Sequence, residues 1–139
     1  MKSHGWNIIG ICLSTAVLAG CELFVFGSKQ PAAIEVSQTT SVGAVLLFKA
    51  ELDSSNTTAA TEILAGKQGE KLLAAEKYDM SDEIARISRL ITQKPISKIQ
   101  TDTLSPAAHT IHVEFNYLKK ISFSTAKIGN SWYITEIHE

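Results

Sequence analysis

Residues 111–137 read IHVEFNYLKKISFSTAKIGNSWYITEI, and this stretch decides the fold. Ile111, Val113, Phe115 and Tyr117 alternate with His112, Glu114 and Asn116, the two-residue period of a half-buried strand. Lys119-Lys120 punctuates the run, and then Ile121, Phe123 and Thr125 alternate with Ser122, Ser124 and Ala126. Gly129-Asn130-Ser131 is a turn signal, and residues 132–137 form a last strand. Connections this short require antiparallel neighbours. Alternation of apolar and polar side chains predicts a sheet covered on one face and wet on the other.

Upstream the period changes. Residues 96–104 are β-rich but only moderately patterned, and Pro95 separates them from a helical region. Ser81 reads as the cap of a helix carrying Ile84, Ile87, Leu90 and Ile91 on one face, with Asp82 and Glu83 in its first turn, where the macrodipole favours acids. Residues 70–77 predict a short helix with Leu72 and Leu73 inward, and residues 57–65 another, closed by Gly66. Ser41 reads as the N-cap of the first helix, in which Val42, Val45, Leu46 and Leu52 make the stripe and Phe48 flanks it. Asp53-Ser54-Ser55-Asn56 ends that helix, because these side chains bond their own backbone in turns. Helices followed by a strand meander give an α+β class.

The chain opens with a three-part export signal: Lys2 in the polar start, an apolar stretch over residues 8–18, then Leu18-Ala19-Gly20-Cys21. These four residues look like the lipobox of a bacterial lipoprotein. That resemblance implies cleavage between Gly20 and Cys21, lipid on the Cys21 thiol, and a mature protein bound to the membrane. An ordinary secretory signal is one alternative, and a membrane helix over residues 8–26 is another. The second is opposed by Glu22, because an acid inside a bilayer is expensive. Glu22 in place of an aspartate leans, by the enteric rule, toward the outer membrane facing the periplasm rather than the inner membrane. The expected organisation is a signal peptide over residues 1–20, a lipidated cysteine and flexible tether over 21–40, and the α+β domain over 41–139. Pro31 and the small polar residues of 27–40 predict little fixed structure in the tether.

The whole chain has 13 Lys and Arg against 14 Asp and Glu, a net charge of −1. Removal of residues 1–20 takes away one Lys and leaves −2. Nucleic acid is not an expected partner, because such domains carry a basic stripe. The two cysteines are Cys12 and Cys21, so the domain itself has no disulfide and relies on packing.

Two stretches resemble the nuclear-transport-factor-2-like superfamily, the cone-shaped α+β fold also seen in ketosteroid isomerase. Residues 47–53 (LFKAELD) leading to 59–64 (AATEIL) resemble its opening helix, polar break and second helix. Residues 127–137 (KIGNSWYITEI) resemble its closing hairpin. The resemblance covers about residues 41–138. It implies N-terminal helices on one face of a curved antiparallel sheet of about four strands, wrapped around a partly open pocket. Candidate pocket-lining residues are then Tyr78, Met80, Phe115, Tyr117, Phe123 and Trp132. A cystatin-like arrangement, or an unrelated helix-plus-meander fold, is the alternative.

Little in the chain signals chemistry. His109 and His112, three apart on a strand, point to opposite faces and suit no metal, and His138 lies at the far end of the chain. His112, Glu114 and Asn116 form a polar row that reads as the solvent face of the sheet, or as an acid–base pair if a cleft holds it. Trp132 reads as a core anchor more than a ligand contact. No cofactor is expected, and no nucleophile elbow or phosphate loop is present. The expected function is a membrane-anchored envelope lipoprotein whose domain binds a protein, cell-wall or small apolar ligand. The alternatives are an isomerase or dehydratase using a carboxylate in the cone, and a structural part of an envelope assembly.

Overall fold

The computed structural model describes residues 33–139, which lie within one unit, Ala32–Glu139. Gly20, Cys21, the leader and the first part of the tether lie outside the described residues. Four helices, α1 (Ser41–Asp53), α2 (Thr57–Glu62), α3 (Ala74–Asp79) and α4 (Ser81–Ile91), precede four strands, β1 (Ile96–Ser105), β2 (Ala108–Phe115), β3 (Lys119–Ile128) and β4 (Ser131–His138). The strands form an antiparallel meander in the order β1-β2-β3-β4, an α+β architecture with an unclosed, curved sheet. Irregular register at Ile96/Lys98, Thr103/Ser105 and Ser124/Thr125 supplies local bends.

The alternation read from the sequence places Ile111, Val113, Phe115, Ile121 and Phe123 under the helices, each 1% exposed or less. Against them α1 sets Ala44, Val45, Phe48 and Leu52, and α4 sets Ile84, Ile87 and Ile91. Phe48 is central to the α1 stripe rather than flanking it, and its ring meets Phe123 edge to face at 6.2 Å. Among the described residues the buried polar side chains are Ser41, Thr61 and Thr125.

Several local expectations shift, each for a tertiary reason. Thr40, not Ser41, caps α1: its hydroxyl accepts from the Gly43 N–H at 2.9 Å. The Ser41 hydroxyl is engaged by His109 Nδ1 at 2.7 Å. The α3 helix starts at Ala74 because residues 66–70 form a turn in which Gly69, at φ +81°, leaves helical space. Leu73 is 70% exposed, and Glu76 reaches back to its N–H at 2.7 Å. Ser81 caps nothing, since Met80 carries helical backbone angles from α3 into α4. The turn between β2 and β3 is Asn116–Tyr117–Leu118, and Lys119-Lys120 belongs to β3. Asn116 and Tyr117 both take positive φ (51° and 60°), which removes Tyr117 from the alternating row. Their N–H groups bond the Pro95 carbonyl and Ser97 Oγ.

The latter part of the expected tether is not free. Gln38 pairs with Trp132 on the outer edge of β4, its carbonyl accepting the Trp132 N–H at 2.8 Å and its amide donating to the Trp132 carbonyl at 2.9 Å. Next along the same edge, Ile63 and Ala65 exchange backbone bonds with Ile134 at 2.9 and 2.8 Å. Residues 63–65 therefore leave helical form, and α2 is shorter than the sequence predicts. Two separate segments thus cover the β4 edge, which would otherwise present unpaired backbone groups.

Candidate functional site

The even-numbered residues from Lys98 to Asp102 on β1, those of β2 and those in the first half of β3 point away from the helices, whereas Ile96, beyond the irregularity at Ile96/Lys98, pairs with Phe115 and packs against the core. Register brings Lys98 and Lys120 on either side of Glu114, and Gln100 and Ser122 on either side of His112. These six side chains line a shallow hollow of about 260 Å³ on the open face of the sheet. Its walls are polar because this face never enters the core, and its floor is the backbone of central strands, which fixes the spacing of the side chains.

Within the hollow, His112 is held from both sides. Its Nε2 lies 3.1 Å from Asp102 Oδ2 on β1, and its Nδ1 lies 2.8 Å from Ser122 Oγ on β3. With the neutral imidazole protonated on Nε2, the ring donates to Asp102 and accepts from the Ser122 hydroxyl. Asp102, His112 and Ser122 thus stand in the acid–base–hydroxyl order of a nucleophilic triad. The rest of that machinery is missing from their surroundings. Ser122 lies mid-strand on β3, paired to His112 on one side and His138 on the other, so no turn aims backbone N–H groups at a bound acyl oxygen. Asp102 is half exposed (52%), so water screens its field. The arrangement fixes the orientation of one imidazole on a recognition surface. Glu114 accepts at Oε1 from Ser97 Oγ at 3.1 Å, which orients the carboxylate between the two lysines.

The polar face continues onto β4. Glu136 and His138 stand beside Ser124 and Ser122, and Lys67 reaches Glu136 from the loop after α2 at 2.8 Å. The hydrogen bond from Lys67, and then that from His138, hold the Glu136 carboxyl below the usual carboxylate range, and the same bond raises the Lys67 ammonium. On α4, hydrogen bonding from Arg86 lowers Glu83. Arg86 also pairs with Glu139, which pairs with Lys119.

The sequence-expected site residues scatter. Phe115 and Phe123 are core side chains, because the alternation that made them candidates turns them toward α1. Trp132 is 6% exposed and stacks on His109 at 4.4 Å; its backbone, not its indole, holds Gln38. Tyr117 stands 80% exposed at the β2–β3 turn, and Asn116 leaves the polar row with it. Tyr78 is 80% exposed and lines a different hollow, of about 370 Å³, with Thr58, Thr61 and Lys77. Met80 lines a small hollow of about 50 Å³ between α4 and β4 with Ile84 and Ile137. Of the polar row, His112 and Glu114 share the open face, while His109 faces inward to Ser41 and Trp132. Among the described residues no group of three or more His, Cys, Asp or Glu side chains could hold a metal. The residues that reading the sequence did not single out are Lys98, Gln100, Asp102, Lys120 and Ser122, which only cross-strand register assembles.

No family model matches the chain, and no curated protein or solved structure matches it significantly.

Proposed function

We propose that this chain is a bacterial envelope lipoprotein, tethered through lipid on Cys21 at the outer membrane facing the periplasm, whose nuclear-transport-factor-2-like domain binds a polar partner through the open face of its sheet. The anchor reading rests on Leu18-Ala19-Gly20-Cys21 after an apolar run, and the family reading on the order of helices and hairpin. The observation that carries the binding function is a polar sheet face left uncovered by the helices, with Lys98, Gln100, His112, Glu114, Lys120 and Ser122 around one hollow.

The partner class follows from where the space is. Phe48, Phe115 and Phe123 fill the region between helices and sheet, so a small apolar ligand finds its place occupied by side chains. An isomerase of the cone type needs an acid buried beside a tyrosine. Here the buried polar side chains among the described residues are Ser41, Thr61 and Thr125, while Tyr78 and Tyr117 are exposed. Among the described residues Leu104, near the end of β1, is the one large exposed apolar side chain on a strand, and none lines the polar hollow, which gives a structural assembly role no continuous apolar patch there. A protein or cell-wall partner with charged and hydroxyl groups fits the lysine–glutamate–lysine row and the fixed imidazole.

The test is photo-crosslinking in cells from Ser124, on the open face, and from Leu73, on the helical side. Specific capture of protein or cell-wall material from position 124, absent at position 73 and lost with Lys98→Ala/Lys120→Ala, is the expected result. Equal capture from both positions refutes the face assignment. In parallel, Cys21→Ser should move the protein out of the membrane fraction, and a variant that still sediments with membranes and keeps residues 1–20 refutes the lipid anchor.

A further inference from the structure

The two edges of the sheet are treated differently. Gln38 and residues 63–65 cover the β4 edge. At the other end of the sheet β1 pairs only with β2, and among the described residues no other segment bonds its outer edge. This edge strand is ten residues long, Ile96–Ser105, with regular register from Lys98 to Thr103 between irregularities near its two ends. A long regular edge is a template for another strand unless something covers it. One of its side chains, Leu104, is 71% exposed.

We propose that β1 pairs with β1 of a second copy of this chain, antiparallel about a two-fold axis at Gln100, joining two four-stranded sheets into one. The residue pattern selects this partner and this register. With Gln100 opposite Gln100 of the partner subunit, Lys98 faces Asp102 of the partner subunit, and Asp102 faces Lys98 of the partner subunit. Both opposite-charge pairs lie on the open face. Moving the centre to Ile99 sets Lys98 against glutamine, and moving it to Thr101 sets Lys98 against leucine, so only the Gln100 centre pairs the charges. The strand opposes itself with even residues against even ones. Its outward-pointing backbone groups therefore meet outward-pointing groups whichever residues carry them.

The pairing extends the candidate site. Lys98 and Gln100 form the rim of the hollow at this edge, and Asp102 is the residue that fixes His112. In the dimer each Asp102 lies between its own His112 and Lys98 of the partner subunit. Two hollows then sit side by side across the axis on a continuous polar face. The inference depends on neither the lipid anchor nor the nature of the ligand.

Disulfide formation in the full chain tests it. With Cys12→Ser and Cys21→Ser removing the native thiols, Gln100→Cys places one thiol on the axis, where directly opposed Cβ atoms in an antiparallel pair lie about 4.5–5.5 Å apart. Under mild oxidant this variant should form a disulfide dimer at least about ten times faster than one with Ser124→Cys, which lies on the same face away from the edge. Adding Lys98→Asp turns two attractive pairs into two repulsive ones and should slow the reaction about tenfold. Further addition of Asp102→Lys restores the complementarity and the rate. Equal rates at positions 100 and 124, or no rescue by the charge swap, overturn the proposal. So does a monomer in which the thiol introduced at position 100 resists alkylation, because another segment of the chain then covers the edge.

Discussion

Truncation of Phe48 and Phe123 decides whether the space between helices and sheet is a packed core or a binding chamber. Both rings are fully buried and meet edge to face at 6.2 Å, with an interplanar angle of 67°. Replacing either by Ala removes its transfer free energy and leaves a cavity that the sheet closes only in part, a loss of about 3–5 kcal/mol. The described domain has 139 − 32 = 107 residues. A domain of that size has a total stability of about 5–16 kcal/mol. Each substitution therefore removes at least about a fifth of the margin and lowers Tm by roughly 13–22 °C. The double substitution loses less than the sum, by the edge-to-face coupling of about 0.5–1.5 kcal/mol. Urea unfolding followed by circular dichroism and by tryptophan fluorescence, in which Trp132 reports its stack on His109, gives the four stabilities and tests two-state behaviour. A loss below about 1 kcal/mol for either ring refutes the packed-core reading, since that is the range of surface and loosely packed sites. The small apolar ligand would then return as the leading partner.

Three further outcomes follow from local geometry. Gly43→Ala puts a Cβ 2.4 Å from the Ser37 carbonyl oxygen and 2.5 Å from that of Glu35. It should leave α1 helical but free residues 35–38, seen as new protease cleavage there with little change in circular dichroism. Resistance equal to the parent would show that the segment is not held by this close approach. Tyr117→Gly removes an aromatic side chain, yet it should be neutral or stabilising, because the ring is 80% exposed and a left-handed non-glycine residue stores about 1–3 kcal/mol of strain. A fall in the urea midpoint would mean that the ring does pack. Arg86 holds Glu83 below its ordinary value of 4.5, so this pair adds stability above that pH, and the contribution is lost as pH falls through the lowered value. Glu83→Gln should reduce the slope of the urea midpoint against pH below the ordinary carboxylate value, with parent and variant converging at the acid end. A parent curve already flat in this window would refute the pairing.

Most of the fold is legible in the sequence because burial repeats with the backbone period. The two-residue alternation of 111–115 and 121–125 places five core side chains without knowledge of any other element. The three- and four-residue spacing of Ile84, Ile87 and Ile91 does the same for α4. Where two residues compete for one local role, the pattern alone is insufficient. Thr40 and Ser41 are both good caps, and His109, distant in sequence, takes the Ser41 hydroxyl. Lys119-Lys120 looks like a hairpin turn, but Asn116 and Tyr117 make it with support from Pro95 and Ser97.

The sequence by itself determined the α+β class, the order of elements and the inward face of each central strand. Each of these depends on residues close together along the chain. Tertiary structure alone decided that Gln38 and residues 63–65 seal one edge of the sheet while no described segment of the chain bonds the outer edge of β1, and that Asp102, His112 and Ser122 meet across three strands. Those groupings depend on cross-strand register. A slip of one residue would turn every side chain of a strand to the opposite face, and only the packing of Ile111, Phe115 and Phe123 against α1 fixes which register holds.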